Sequence, residues 1–228
     1  MAILLMNHYH LAEKPQEVMN DITELLDRIT EESKDVHLAK NAAMLKCGCH
    51  LMERQPEEIL DILGEELLPV TQEAALQAPA YKLWGSLDKA ARAVPISMYN
   101  HLLSLIGDAS MHIAWQQDAC GTTEEIIRRA LAVADIFHMD YLHFNTIVQV
   151  YLASAQYYGI TANPEEAVKM LERYTDCVYM QETPIKLHGD DYFDKVDGWL
   201  SDLALGKDAP RGDAAIRQSI YQALEANP

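Results

Sequence analysis

The chain has 228 residues, enough for one large domain or a stack of small units with an ample core. It is 49% hydrophobic and 23% charged, but 35 Asp+Glu outweigh 18 Lys+Arg, for a formal net charge of −17. A surface of that sign repels phosphate backbones and anionic headgroups, so this chain alone is expected to bind nucleic acid and anionic membrane poorly, and the charge reads otherwise as solubility.

From the start, "MAILLMNHYHLAEK" lacks a basic region and a small-residue cleavage site, so no signal peptide is expected. The longest weakly charged run, "AVPISMYNHLLSLIG", is broken by proline, asparagine and histidine. It falls short of the roughly 18 apolar residues of a membrane span. Apolar residues recur at spacings of 3 and 4, as in Val18, Ile22, Leu25, Leu26 and Ile29, while period-2 alternation and Asn-Gly turns are missing. The chain is predicted to be all-α. Cys47, Cys49, Cys120 and Cys177 are too few for a disulfide scaffold, so a reduced, cytoplasmic setting is expected.

One phrase returns along the chain. Val18, Ala90 and Ala167 each have a tyrosine nine residues earlier (Tyr9, Tyr81, Tyr158), and Ile59 and Ile126 have His50 and Gln117 there. The anchors are 41, 31, 36 and 41 residues apart. That spacing belongs to helix-turn-helix solenoids and lies near the tetratricopeptide period of about 34. The last copy is most similar to that consensus, with Tyr151, Ala155, Tyr158, Ala167 and Leu171 at its large, small and tyrosine positions. A small residue lets paired helices approach, and the tyrosine is expected to fill the wedge between pairs. A single pair cannot bury its apolar face, so pairs must stack. In "NPEE", Asn163 is the expected N-cap, Pro164 the first helical residue, and Glu165 and Glu166 favour the positive helix end. Pro79 and Pro95 fall inside the third copy and predict broken or shortened helices there.

The expected architecture is a right-handed tetratricopeptide-like solenoid of about five helix pairs over residues 1–182. Residues 183–228 would cap its end within the same domain, with helices near Tyr192–Leu203 and Asp213–Ala226.

Residues 105–228 carry a further likeness. "YLHFNTIVQVYLASAQYYGITANPEEAVKMLERYTD", then "HGDDYFDKVDGWLSDLALGKDAPR" and "IRQSIYQAL", resemble the C-terminal regulatory region of XRE-family (Cro/CI-type helix-turn-helix) transcriptional regulators. The resemblance implies a cytoplasmic sensor that takes a peptide or small-molecule effector, forms a homodimer and reaches DNA only through an N-terminal domain absent from this chain. It implies no cofactor.

Two clusters invite a chemical reading. "CGCH" (Cys47, Cys49, His50) has metal-ligand residue types, but i, i+2 spacing on a helix sends the sulfurs to different faces. Core packing is the expected role. "GDDYFD" is expected to be an acidic turn leading into a helix. Nothing catalytic surrounds either cluster, and the chain is not expected to be an enzyme.

In tetratricopeptide stacks the first helices of the pairs line a concave groove. Carrying that register over places Asn7, His10, Asn41, Met44, Met52, Lys82, Met111, Trp115, Gln149 and Gln156 on the inward face. Amide side chains there can hold an extended peptide backbone while Met and Trp pack its side chains. The leading expectation is a ligand-sensing and oligomerisation domain of a transcriptional regulator. The alternative is a stand-alone tetratricopeptide-like adaptor that binds other proteins.

Overall fold

The structure, a computed structural model, describes residues 5–6, 12–64, 73–181, 186–203, 206–207, 218 and 221–222. Among them every regular element is an α-helix and no strand occurs, so the chain is all-α. No described helix is long and apolar enough to cross a membrane. The chain divides into two compact units, residues 1–71 and 72–228.

The first unit holds α1 (Pro15–Glu32), α2 (Val36–Met52) and α3 (Pro56–Leu63). Met19, Ile22 and Leu26, one stripe of α1, pack against Ala42 and Cys49 of α2. Asp35 caps α2, its Oδ1 accepting from the amides of His37 at 2.9 Å and Leu38 at 3.2 Å. A Lys46–Asp27 ion pair at 2.6 Å joins the same two helices at the surface.

The second unit holds α4 (Glu73–Leu83), α5 (Leu87–Ala114), α6 (Gly121–Ile136), the short α7 (Met139–Leu142), α8 (Phe144–Ile160), α9 (Pro164–Tyr179) and α10 (Val196–Asp202). Its centre is α8, which packs against α5, α6, α7 and α9. Nine of its residues are buried, from Phe144 to Tyr157, so it is apolar nearly all round, as a core helix must be. The buried stripe of α5 runs through Tyr99, Leu102, Ile106, Ser110 and Ile113. Before α10, Tyr99 meets Phe193 edge-on at 5.5 Å, and Trp199 of α10 at 6.3 Å. An Arg92–Asp202 ion pair at 2.8 Å ties α10 to α5 from outside.

Three helix-to-helix turns are the same structure. At α2–α3 the Gln55 amide donates to the His50 carbonyl at 2.9 Å. At α4–α5 Ser86 does so to Tyr81 at 2.9 Å, and at α8–α9 Asn163 to Tyr158 at 2.8 Å. A second bond nests inside each: Arg54 to Leu51, Gly85 to Lys82, Ala162 to Gly159. This is the Schellman end, which satisfies the last carbonyls only when the residue between is left-handed. Arg54 (φ 59°), Gly85 (φ 79°) and Ala162 (φ 57°) take that conformation. The carbonyls that accept the outer bonds belong to His50, Tyr81 and Tyr158, the first residues of the repeated nine-residue phrase. Asn163 caps the helix that follows, accepting from the Glu166 amide, and Pro164 holds the first helical position.

The prolines behave differently from expectation. α4 runs through Pro79, and α5 continues through Pro95 for 28 residues. Each proline removes an amide that would have bonded the carbonyl four residues back, on Ala75 or Ala91. Both alanines are exposed, so water can take the orphaned carbonyl and the helix need not end. A continuous α5 therefore joins the second helix of the third copy to the first helix of the fourth with no turn between. The tyrosine that fills the wedge is also a neighbour of the expected one: Tyr157 is fully buried, whereas Tyr158 is half-buried. The predicted helix near Tyr192–Leu203 is present but begins only at Val196. The one expected near Asp213–Ala226 lies almost entirely outside the described residues.

A left-handed alanine carries a strain of about 1 kcal/mol that glycine lacks. Ala162→Gly should raise the urea midpoint, and Gly85→Ala should lower stability by about 1 kcal/mol. Burial holds the His143 imidazole below its usual 6.5, so the unfolded chain takes up a proton at mildly acidic pH that the folded chain resists. Stability should fall as pH drops through 6.5, and His143→Gln should flatten that part of a urea-midpoint profile.

Candidate functional site

A cleft of about 450 Å³ opens where the end of α5 meets the crossing of α8 and α9. Its cause is local and steric. Ala153, Ala155 and Gly159 of α8 and Ala167 of α9 are too small to fill the space that the backbones leave. Ile113, Ile160 and Leu171 make the remaining wall apolar, and Gln116 and Gln156 supply amides at the surface. An apolar cleft with a few polar groups is the usual form of a small-ligand or peptide site.

Tyr157 fixes one wall. Its hydroxyl accepts from the Cys120 amide at 2.8 Å and donates to the Cys120 carbonyl at 3.1 Å. Both polar groups of that loop residue are thereby satisfied by a core side chain, and the segment between α5 and α6 is pinned against α8. Trp115 ends α5 in this segment, between the lining residues Ala114 and Gln116, and is 73% exposed. An indole so exposed buries little of its large apolar area within the chain.

The ten residues expected to line a groove are distributed as follows. Gln156 lines the cleft; Trp115 does not, although its chain neighbours Ala114 and Gln116 do. Gln149 lies seven residues earlier on α8, on the same helical stripe and exposed; Met111 is exposed one turn before Trp115. Lys82 is exposed on α4. Asn41, Met44 and Met52 are exposed on α2, in the first unit. Asn7 and His10 lie outside the described residues. The register did not pick out Gln116, Gly159 or Ile160. The adjacent "WQQ" at the end of a helix was the available signal for Gln116.

The "CGCH" residues pack in the first unit. Cys47, Cys49 and His50 are all buried, and the Nδ1 atom of His50 lies 2.7 Å from the side-chain oxygen of Gln55. Burial raises both thiols above their usual range. Among the described residues no group of three or more His, Cys, Asp or Glu is arranged to hold a metal ion. In "GDDYFD", Asp190 Oδ1 accepts from the amides of Tyr192 at 3.0 Å and Phe193 at 2.7 Å, closing a turn before α10. Gly189 is required in that turn, because a Cβ there would sit 2.3 Å from the Phe193 carbonyl oxygen.

The chain matches no protein-family model, no curated protein and no solved structure.

The four thiols differ sharply in environment. Cys120 is half-buried at the start of α6, where the amides of Thr123 and Thr122 hold its thiol below the usual range. Burial pushes Cys177 up to about 12. Iodoacetamide at neutral pH should therefore label Cys120 first in the native protein, with Cys47, Cys49 and Cys177 reacting only on unfolding. Peptide mapping after a timed pulse reads the order.

Proposed function

We propose that the chain is a ligand-sensing domain whose effector, a peptide or small molecule, occupies the cleft between α5, α8 and α9. The observation that carries this reading is the cleft itself: an apolar notch with amides at its surface. Ile113, Ile160 and Leu171 would receive an apolar anchor, and Gln116 and Gln156 would bond the polar groups flanking it. The sequence resemblance adds the context of a cytoplasmic XRE-family transcriptional regulator that acts as a homodimer and reads DNA through a separate domain. The repeated Schellman turns, and the packing of α8 on α5, α6 and α9, support the tetratricopeptide-like reading of the second unit.

A second reading has its own observation. Leu76, Leu83, Trp84 and Leu87 are strongly exposed around the α4–α5 turn, which suits an adaptor that docks another protein. The cleft favours the regulator reading because it brings polar and apolar groups together in one concavity.

A peptide and metabolite library screened by thermal shift supplies a binder for the test. Gln156→Ala removes one amide and should weaken that binder about fivefold to tenfold. Ala167→Phe places a ring in the cleft and should abolish binding. Unchanged affinity in both variants would place the effector elsewhere.

A further inference from the structure

A separate cleft of about 710 Å³ lies where the α6–α7 turn faces the segment that leads into α10. Its walls are Phe137, Tyr141 and Tyr192, with Ile136, His138, Asp190 and Asp191 as the other lining residues; it has two carboxylates, one imidazole and no lysine or arginine. Phe137 and Tyr192 stand at a steep angle to each other. Phe137 and Tyr192 have centroids 5.8 Å apart and planes 63° apart, and Tyr192 meets the buried Phe193 at 89°. Tyr141 rests on the His188 ring, with centroids 3.9 Å apart.

These rings are exposed but held. Tyr141 is 56% and Tyr192 58% exposed. The Gly189 turn and the two amides bonded to Asp190 fix the backbone that presents Tyr192. The α6–α7 turn is closed by the Tyr141 amide donating to the His138 carbonyl at 2.9 Å. A purely structural turn accounts for Asp190 and Phe193, but it leaves more than half of Tyr141 and Tyr192, and the Asp191 side chain, facing solvent.

We propose that this cleft binds an organic ammonium group. Angled aromatic faces attract a cation through their negative quadrupoles, and adjacent carboxylates complete its neutralisation. The chain's net charge of −17 draws cations toward it at long range. A neutral or anionic ligand would gain from neither. The same chemistry is offered by a free alkylamine and by a lysine side chain in a peptide.

The probe is n-butylammonium, titrated into the full chain and followed by aromatic NMR shifts, with n-butanol as its neutral isostere. Saturable binding of the ammonium and none of the alcohol is expected. Tyr192→Ala and Asp191→Asn should each weaken binding several-fold to about tenfold; Asp191→Asn should leave the melting temperature unchanged because that side chain is exposed, whereas Tyr192→Ala should lower it by the lost edge contacts with Phe137 and Phe193. Gln156→Ala, in the other cleft, should leave it intact. A blocked Gly-Lys-Gly peptide that binds more tightly than butylammonium assigns the site to a protein segment, and weaker binding assigns it to a free amine. Equal response to amine and alcohol, or parental affinity in both Tyr192→Ala and Asp191→Asn, overturns the proposal.

Discussion

A helix that ends leaves carbonyls without partners, and the way this chain satisfies them sets its architecture. The amide five residues on closes back onto the helix only if the residue between turns left-handed. The next helix then starts at once, with Pro56, Leu87 or Pro164 as its first residue. Three such ends, at His50, Tyr81 and Tyr158, reverse the chain within a few residues. Reversal that tight places consecutive helices side by side, so each apolar stripe finds its partner in the neighbouring helix. Two of the three turns use a non-glycine residue at the left-handed position, so tertiary packing must offset the strain.

Within the second unit the load falls on α8. It is buried along almost its whole length and separates α5 from α9. Small residues near its C-terminal end permit the close crossing with α9 and also leave the cleft unfilled. Tyr157, itself a lining residue, then pins the segment between α5 and α6, which contributes Gln116 to the cleft, through the backbone amide and carbonyl of Cys120. Packing and site therefore share residues: the alanines that make the crossing possible are the floor of the cavity.

Local chemistry made much of this legible in the sequence. The spacing of nine residues from tyrosine or histidine to a small or branched apolar residue located three turns, because a Schellman end and the following first helical turn have a fixed length. "NPEE" showed its helix start because Asn and Pro each have one favourable place there. Pro95 misled because propensity treats proline as a terminator, whereas an exposed carbonyl four residues back removes much of the cost. The fourth copy misled for a related reason: Gln117 lies in the segment linking α5 to α6, pinned by Tyr157, and not in a tight reversal. For the cleft, helical spacing indicated Gln156 and drew attention to Trp115. Gln116 and Ile160 join them only through the crossing of three helices, and no local pattern encodes that. Phe137 and Tyr192 are still farther apart in sequence and meet only because the segment before α10 folds back.

The central claim is that the α5–α8–α9 cleft receives an effector. Amide hydrogen exchange of the chain with and without a screened binder tests it most directly, since it maps contact without altering any residue. Occupation should slow exchange at residues 113–116 and 153–160 and leave the α4–α5 turn unchanged. Slowing confined to the α4–α5 turn, with residues 153–160 exchanging as before, would contradict the account.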